Sequence, residues 1–121
     1  MAPPANALEV AVHLGRLSRQ LDDLGNALEA AELDAARKRL AFDVAFSEAF
    51  VKHAGSVDLR KHRAVLDTQH ERAAADVADV VVRHLRRRIK ALETRIEVGR
   101  SYGTTVRAEL ATLGHTGGLE P

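Results

Sequence analysis

From Val77 to Leu113, apolar and small residues recur at alternating steps of four and three. Leu85, Ile89, Leu92, Ile96, Gly99, Gly103, Val106, Leu110 and Leu113 fall on one line. A seam of that period, held for about four heptads, is the pattern of a helix lying along a second helix. The first half carries another helical pattern. Asn6 stands as an N-cap with Glu9 three residues on, in capping-box position. Leu14, Leu17, Leu21, Leu24, Leu28 and Ala31 then repeat every three to four residues. The stripe drifts onto Leu33, Ala36 and Leu40 and continues through Phe42, Ala45, Phe46, Ala49 and Phe50. Gly15 and Gly25 each weaken a helix by about 1 kcal/mol relative to alanine, too little to end one in so periodic a context. One helix is predicted over about residues 6–54.

The stop is chemically marked. Lys52 and His53 sit where cations suit the helix dipole, and Gly55 is placed as a left-handed C-cap. Ser56 then caps a second helix that has Asp58 in its first turn. So short a connection folds two helices back as an antiparallel αα-hairpin. The second helix is predicted over about 57–113, with Leu59, Leu66, Ala73, Val77 and Val80 on one face before the seam begins. Residues 1–5, with Pro3 and Pro4, read as a flexible leader, and 114–121, with Gly114, Gly117, Gly118 and Pro121, as a flexible tail. The expected fold is all-α: a long, coiled-coil-like helical hairpin over 6–113.

Composition agrees with that class. Aromatics make up 3% of the chain, so a thin seam of Leu, Ile, Val and Ala replaces a centre filled with large rings. Two helices paired only with each other leave apolar surface uncovered and bury little. A homo-oligomeric helical bundle is therefore expected. The absence of cysteine excludes disulfides and thiolate chemistry. The N-terminal residues lack the pattern of a signal peptide. No apolar run approaches the roughly 20 residues that cross a bilayer. A cytoplasmic protein without a membrane partner is expected.

Charge is uneven along the chain. Residues 1–55 hold 6 basic and 8 acidic groups, and 56–82 hold 4 and 5, whereas 83–121 hold 8 and 4. The basic excess concentrates in Arg83, Arg86, Arg87, Arg88, Lys90 and Arg95. These are the candidate contacts for DNA phosphates or an acidic protein face. Successive arginines point about 100° apart, so the run fans round its helix; Arg83, Arg87 and Lys90 share a side, with Arg86 at its edge. The competing reading is structural: a solvated face, or pairing with Asp22, Asp23, Glu29, Glu32 and Asp34 of the first helix. No zinc-finger or helix-turn-helix motif is present.

Gly99-Arg100-Ser101-Tyr102-Gly103 spells G-x-S-x-G, the serine-hydrolase elbow pattern. That chemistry needs a strand entering the turn and a large α/β sheet, and here the preceding residues are amphipathic helix. Close helix packing at the two glycines is the preferred reading over a helix break near Gly99. The six histidines (His13, His53, His62, His70, His84 and His115) form no i, i+4 pair with one another, so no metal site is expected. Asp76 and Asp79 are expected to face water. Nothing suggests a cofactor, a small-molecule substrate or an enzyme.

Gly55-Ser56-Val57-Asp58-Leu59-Arg60-Lys61, Thr94-Arg95-Ile96-Glu97-Val98-Gly99-Arg100-Ser101-Tyr102-Gly103 and Val106-Arg107-Ala108-Glu109-Leu110 resemble small, uncharacterised helical proteins of tailed bacteriophages that infect actinobacteria. The resemblance covers the second half of the chain. It implies a place among early phage genes, near replication and recombination, and no catalytic residue. Two functions are therefore expected to compete. One is a non-enzymatic, oligomeric accessory protein that touches DNA or a DNA-bound protein through the basic run. The other is a protein-interaction module, an assembly chaperone or a modulator of a host or defence protein, with no nucleic-acid role. The seam from Leu85 to Leu110 serves helix packing or oligomerisation in both.

Overall fold

A computed structural model describes residues 6–119, with side chains through residue 114. The fold is all-α. Helix α1 spans Ala7–Lys52, α2 Val57–Asp67 and α3 Gln69–Leu119, with no strand among the described residues. The chain divides into two compact units: a corner unit of residues 26–87, and an end unit of residues 6–25 with 88–119. The leader expected over 1–5 lies outside the described residues.

The start of α1 follows from its cap: the Asn6 Oδ1 accepts the Glu9 N–H at 2.9 Å. At the other end Gly55 takes φ 113°, where an L side chain is strained, and the chain reverses. The Ser56 hydroxyl oxygen accepts the Leu59 N–H at 3.2 Å and opens α2. The corner is held from both flanks. Arg60 donates its Nε–H to the Phe50 carbonyl at 3.2 Å and lays its guanidinium 4.4 Å from the Phe50 ring centroid. His53 Nε2 meets Asp67 Oδ2 at 2.5 Å. Gly55→Ala is expected to lose about 1–2 kcal/mol, because a Cβ is disfavoured in left-handed backbone and would meet Leu59 Cδ2 at 3.0 Å. The shift of the urea midpoint measures it.

The second helix is not continuous as expected: it breaks at Thr68. That residue is buried, at 2% exposure, and leaves helical backbone with φ −115°. Its N–H and its hydroxyl both donate to the Ala64 carbonyl, at 3.1 and 2.7 Å. A threonine hydroxyl that shares the i−4 carbonyl can bend a helix, and at Thr68 the paired bonds coincide with the non-helical backbone between α2 and α3. The Thr68 carbonyl still accepts the Arg72 N–H at 3.0 Å, so the chain re-enters a helix at once.

The far end also differs from expectation. α3 continues through Gly114 to Leu119, past the point where a flexible tail was expected. Glycine lowers helix propensity but keeps its N–H, so it does not force an end as proline does. Residues 120 and 121 lie outside the described residues.

Within the corner unit, α1 runs antiparallel to α2 and α3. Ala35, Ala78 and Val82 are buried together, with Leu28 and Ala31 packed against them. Ala64 and Ala75 reach 0% exposure, so small side chains let the backbones approach. Phe42 and Phe46 meet edge to face at 6.1 Å. The stripe expected to drift onto Leu33, Ala36 and Leu40 does not do so. The inward line keeps its three-four period through Leu28, Ala31, Ala35 and Phe42, leaving Leu33 and Leu40 53% and 63% exposed. In the end unit Leu17, Leu92 and Ile96 form a buried cluster, flanked by Leu14, Leu21 and Leu24.

Candidate nucleic-acid interface

The seam that orients α3 decides which of its side chains are left for a partner. Leu85, in the corner unit, is half-buried. In the end unit Ile89 is half-buried, while Leu92, Ile96 and Val106 are buried, at 5%, 6% and 8% exposure. Their cover is the protein's own α1, since Leu92 and Ile96 pack on Leu17. Most of the seam is therefore occupied within the chain. Leu110 and Leu113 are the exceptions, 53% and 69% exposed. Val10 lies against Gly103 and α1 begins at Ala7, so the described helix supplies no residue to cover a position two turns further along.

Gly99 and Gly103 are where α1 side chains seat against the α3 backbone. A Cβ at Gly99 would stand 2.8 Å from Leu14 Cδ2, and one at Gly103 2.9 Å from Val10 Cγ1. α3 is unbroken through both. The G-x-S-x-G run thus lies in mid-helix, without the strand that a nucleophile elbow requires. The glycines differ from Gly25, which has no such neighbour within 4 Å. Gly25→Ala is expected to stabilise by about 0.5–1 kcal/mol through helix propensity. Gly103→Leu is expected to destabilise by about 1–3 kcal/mol by overpacking. Paired urea titrations check both, and equal signs would contradict the packing.

The six candidate basic residues are divided between the units. In the corner unit Arg83, Arg86 and Arg87 are all exposed. Arg86 is the paired one, its Nη2 3.5 Å from Glu32 Oε2. Arg83 and Arg86 edge a groove with Glu32, Ala36, Arg39 and Asp79. In the end unit Arg88, Lys90 and Arg95 are exposed, and Arg88 and Arg95 flank Gln20 and Asp23 of α1 across a groove. Neither arginine is within ion-pair distance of Asp23 among the described residues. Of the acids on α1 that could have neutralised this run, Glu32 takes Arg86 and Asp34 takes Lys38 at 3.0 Å. Arg83, Arg87, Arg88, Lys90 and Arg95 have no ion-pair partner among the described residues.

One arginine that the sequence reading did not single out is held tightly. Arg39 of α1 donates to Asp79 Oδ2 at 2.6 Å and to Asp76 Oδ1 at 3.1 Å. The two carboxylates keep the exposure to water expected of them, at 58% and 43%, and lie three residues apart on one face of α3, where they also pair with a cation from α1. Hydrogen bonding to Asp79 first, and to Asp76 second, raises the Arg39 pKa above its ordinary value. A cation whose folded pKa is raised keeps this stabilisation at every pH below its unfolded pKa, so the clasp adds no pH dependence near neutrality. Arg39→Ala should lower stability, read as a lower urea midpoint.

Among the described residues no cluster of His, Asp and Glu could hold a metal ion, and no helix is long and apolar enough to cross a membrane. No known protein family, curated protein or solved structure matches this chain.

Proposed function

We propose that this protein is a non-enzymatic, oligomeric accessory factor of phage DNA replication or recombination. Its α3 side chains Arg83, Arg87, Arg88, Lys90 and Arg95 contact DNA phosphates or the acidic face of a DNA-bound protein. One observation carries the reading: five exposed cations within thirteen residues of α3 have no ion-pair partner among the described residues, although acidic groups lie on α1. Pairing with α1 accounts for Arg86 alone of the six. A phosphate backbone is a chemically suitable counterpart, and such contacts are independent of sequence. The phage setting rests on the resemblance of residues 55–61, 94–103 and 106–110.

A second reading, a protein-interaction module without nucleic-acid contact, draws on the exposed apolar residues Leu40, Val51 and Val77, at 63%, 74% and 63% exposure. An electrophoretic shift with single- and double-stranded DNA at about 50 mM salt separates the two. Retarded complexes with the wild type, lost when the five cations become glutamine, support the first reading. No complex with either DNA form favours the second.

A further inference from the structure

The corner unit carries a second apolar stripe on the outer side of α1. Leu33 and Val51 are each two residues, about 200° round the helix, from buried Ala35 and Ala49. Between them Leu40 and Val44 are 63% and 48% exposed, and Leu33 and Val51 are 53% and 74% exposed. With Arg37 and Ser47 in the gaps, the six positions 33, 37, 40, 44, 47 and 51 follow steps of four, three, four, three and four. That is a coiled-coil seam, presented away from α3.

We infer that this stripe is the surface on which a second copy of the chain docks, by antiparallel pairing of α1 with α1 about a two-fold axis beside residue 42. The order of the six positions is apolar, polar, apolar, apolar, polar, apolar, and it reads alike from either end. A two-fold contact requires such self-complementarity, because each copy presents the same patch. In that register Leu33 meets the second copy's Val51, and Leu40 meets its Val44. Arg37 falls opposite its Ser47, beside its Glu48. The pairing thus gives the cation in the seam a carboxylate on both sides of the dimer, and a polar residue inside a seam fixes register. Asp34, on the flank, is neutralised by Lys38 of its own helix at 3.0 Å. One contact opposes the dimer: Asp43 of the two copies face each other across the axis.

The inference deepens the oligomer in the proposed function and uses none of the cations on α3, so it is tested without DNA. Sedimentation between about 1 and 100 µM should show a dimer. Leu40→Lys should weaken it at least tenfold with unchanged helical circular dichroism, since Leu40 makes no part of the buried core. Asp43→Asn should tighten it severalfold, which loss of folding could not do. The chain has no cysteine, so single cysteines report the register. Asp43→Cys copies should be joined by a short bis-maleimide. Leu33→Cys copies should not, because eighteen residues of helix, about 27 Å, separate the two sites in antiparallel pairing. A monomer at 100 µM, a dimer indifferent to Leu40→Lys, or equal cross-linking at both cysteines overturns the inference. A dimer that binds no DNA overturns the DNA reading alone.

Discussion

Leu17→Ala is expected to destabilise the protein by about 3 kcal/mol, and by no less than 2. Leu17 is the largest fully buried side chain, at 2% exposure, and it bridges Leu92 and Ile96 with Leu14, Leu21 and Leu24 around it. A pair of helices has few neighbours that can close a cavity, so most of the vacated volume stays open. The loss combines burial of about 0.8 kcal/mol per methylene with the lost contacts around the hole. The control is Leu40→Ala at low protein concentration, where the removed side chain is mostly in water and the cost should stay under about 0.5 kcal/mol. Urea unfolding followed by circular dichroism measures both. A Leu17 variant as stable as the Leu40 variant would mean that the end unit is not packed about Leu17.

The second large effect concerns binding. Replacing Arg83, Arg87, Arg88, Lys90 and Arg95 together by glutamine should abolish DNA binding while changing stability little. None of the five makes an ion pair among the described residues, and all are exposed. Exposed charges without partners contribute at most a few tenths of a kcal/mol to folding. Each phosphate they contact would add about 0.9 to the salt slope of binding, so their loss removes most of the electrostatic affinity. Arg39→Gln is the informative comparison. Arg39 is committed to Asp76 and Asp79, so its loss should lower the urea midpoint and spare DNA affinity. If the five-residue variant bound DNA as tightly as the wild type, phosphate contact through α3 would be excluded.

Local chemistry made some of this fold legible. The cap at Asn6 and the corner at Gly55–Ser56 depend on backbone groups within three residues, so their residue types announce them. The seam was legible as far as Val106 because Leu92, Ile96, Gly99 and Gly103 keep one period against a single neighbouring helix. Features set by partners distant in sequence were not legible. Nor was the break at Thr68: its hydroxyl bond to the Ala64 carbonyl is one that Thr94, Thr104 and Thr105 also make inside the unbroken α3, so the residue type does not announce it. Asp76 and Asp79 bind Arg39 because antiparallel packing brings a residue thirty-seven to forty positions away onto their face. Leu33 and Leu40 were misplaced for a related reason. α1 bears apolar residues on two faces, and periodicity alone does not tell which of them meets α3. For the candidate interface, the sequence located the basic run, but which cations α1 neutralises depended on the packing.

Whether unpaired cations on α3 meet phosphates is tested most directly by the salt dependence of binding to a short duplex DNA. Five phosphate contacts predict a slope of log affinity against log salt near −4.5, an affinity loss of roughly 500-fold between 50 and 200 mM salt. A slope near zero, or no binding at 50 mM, would contradict the account.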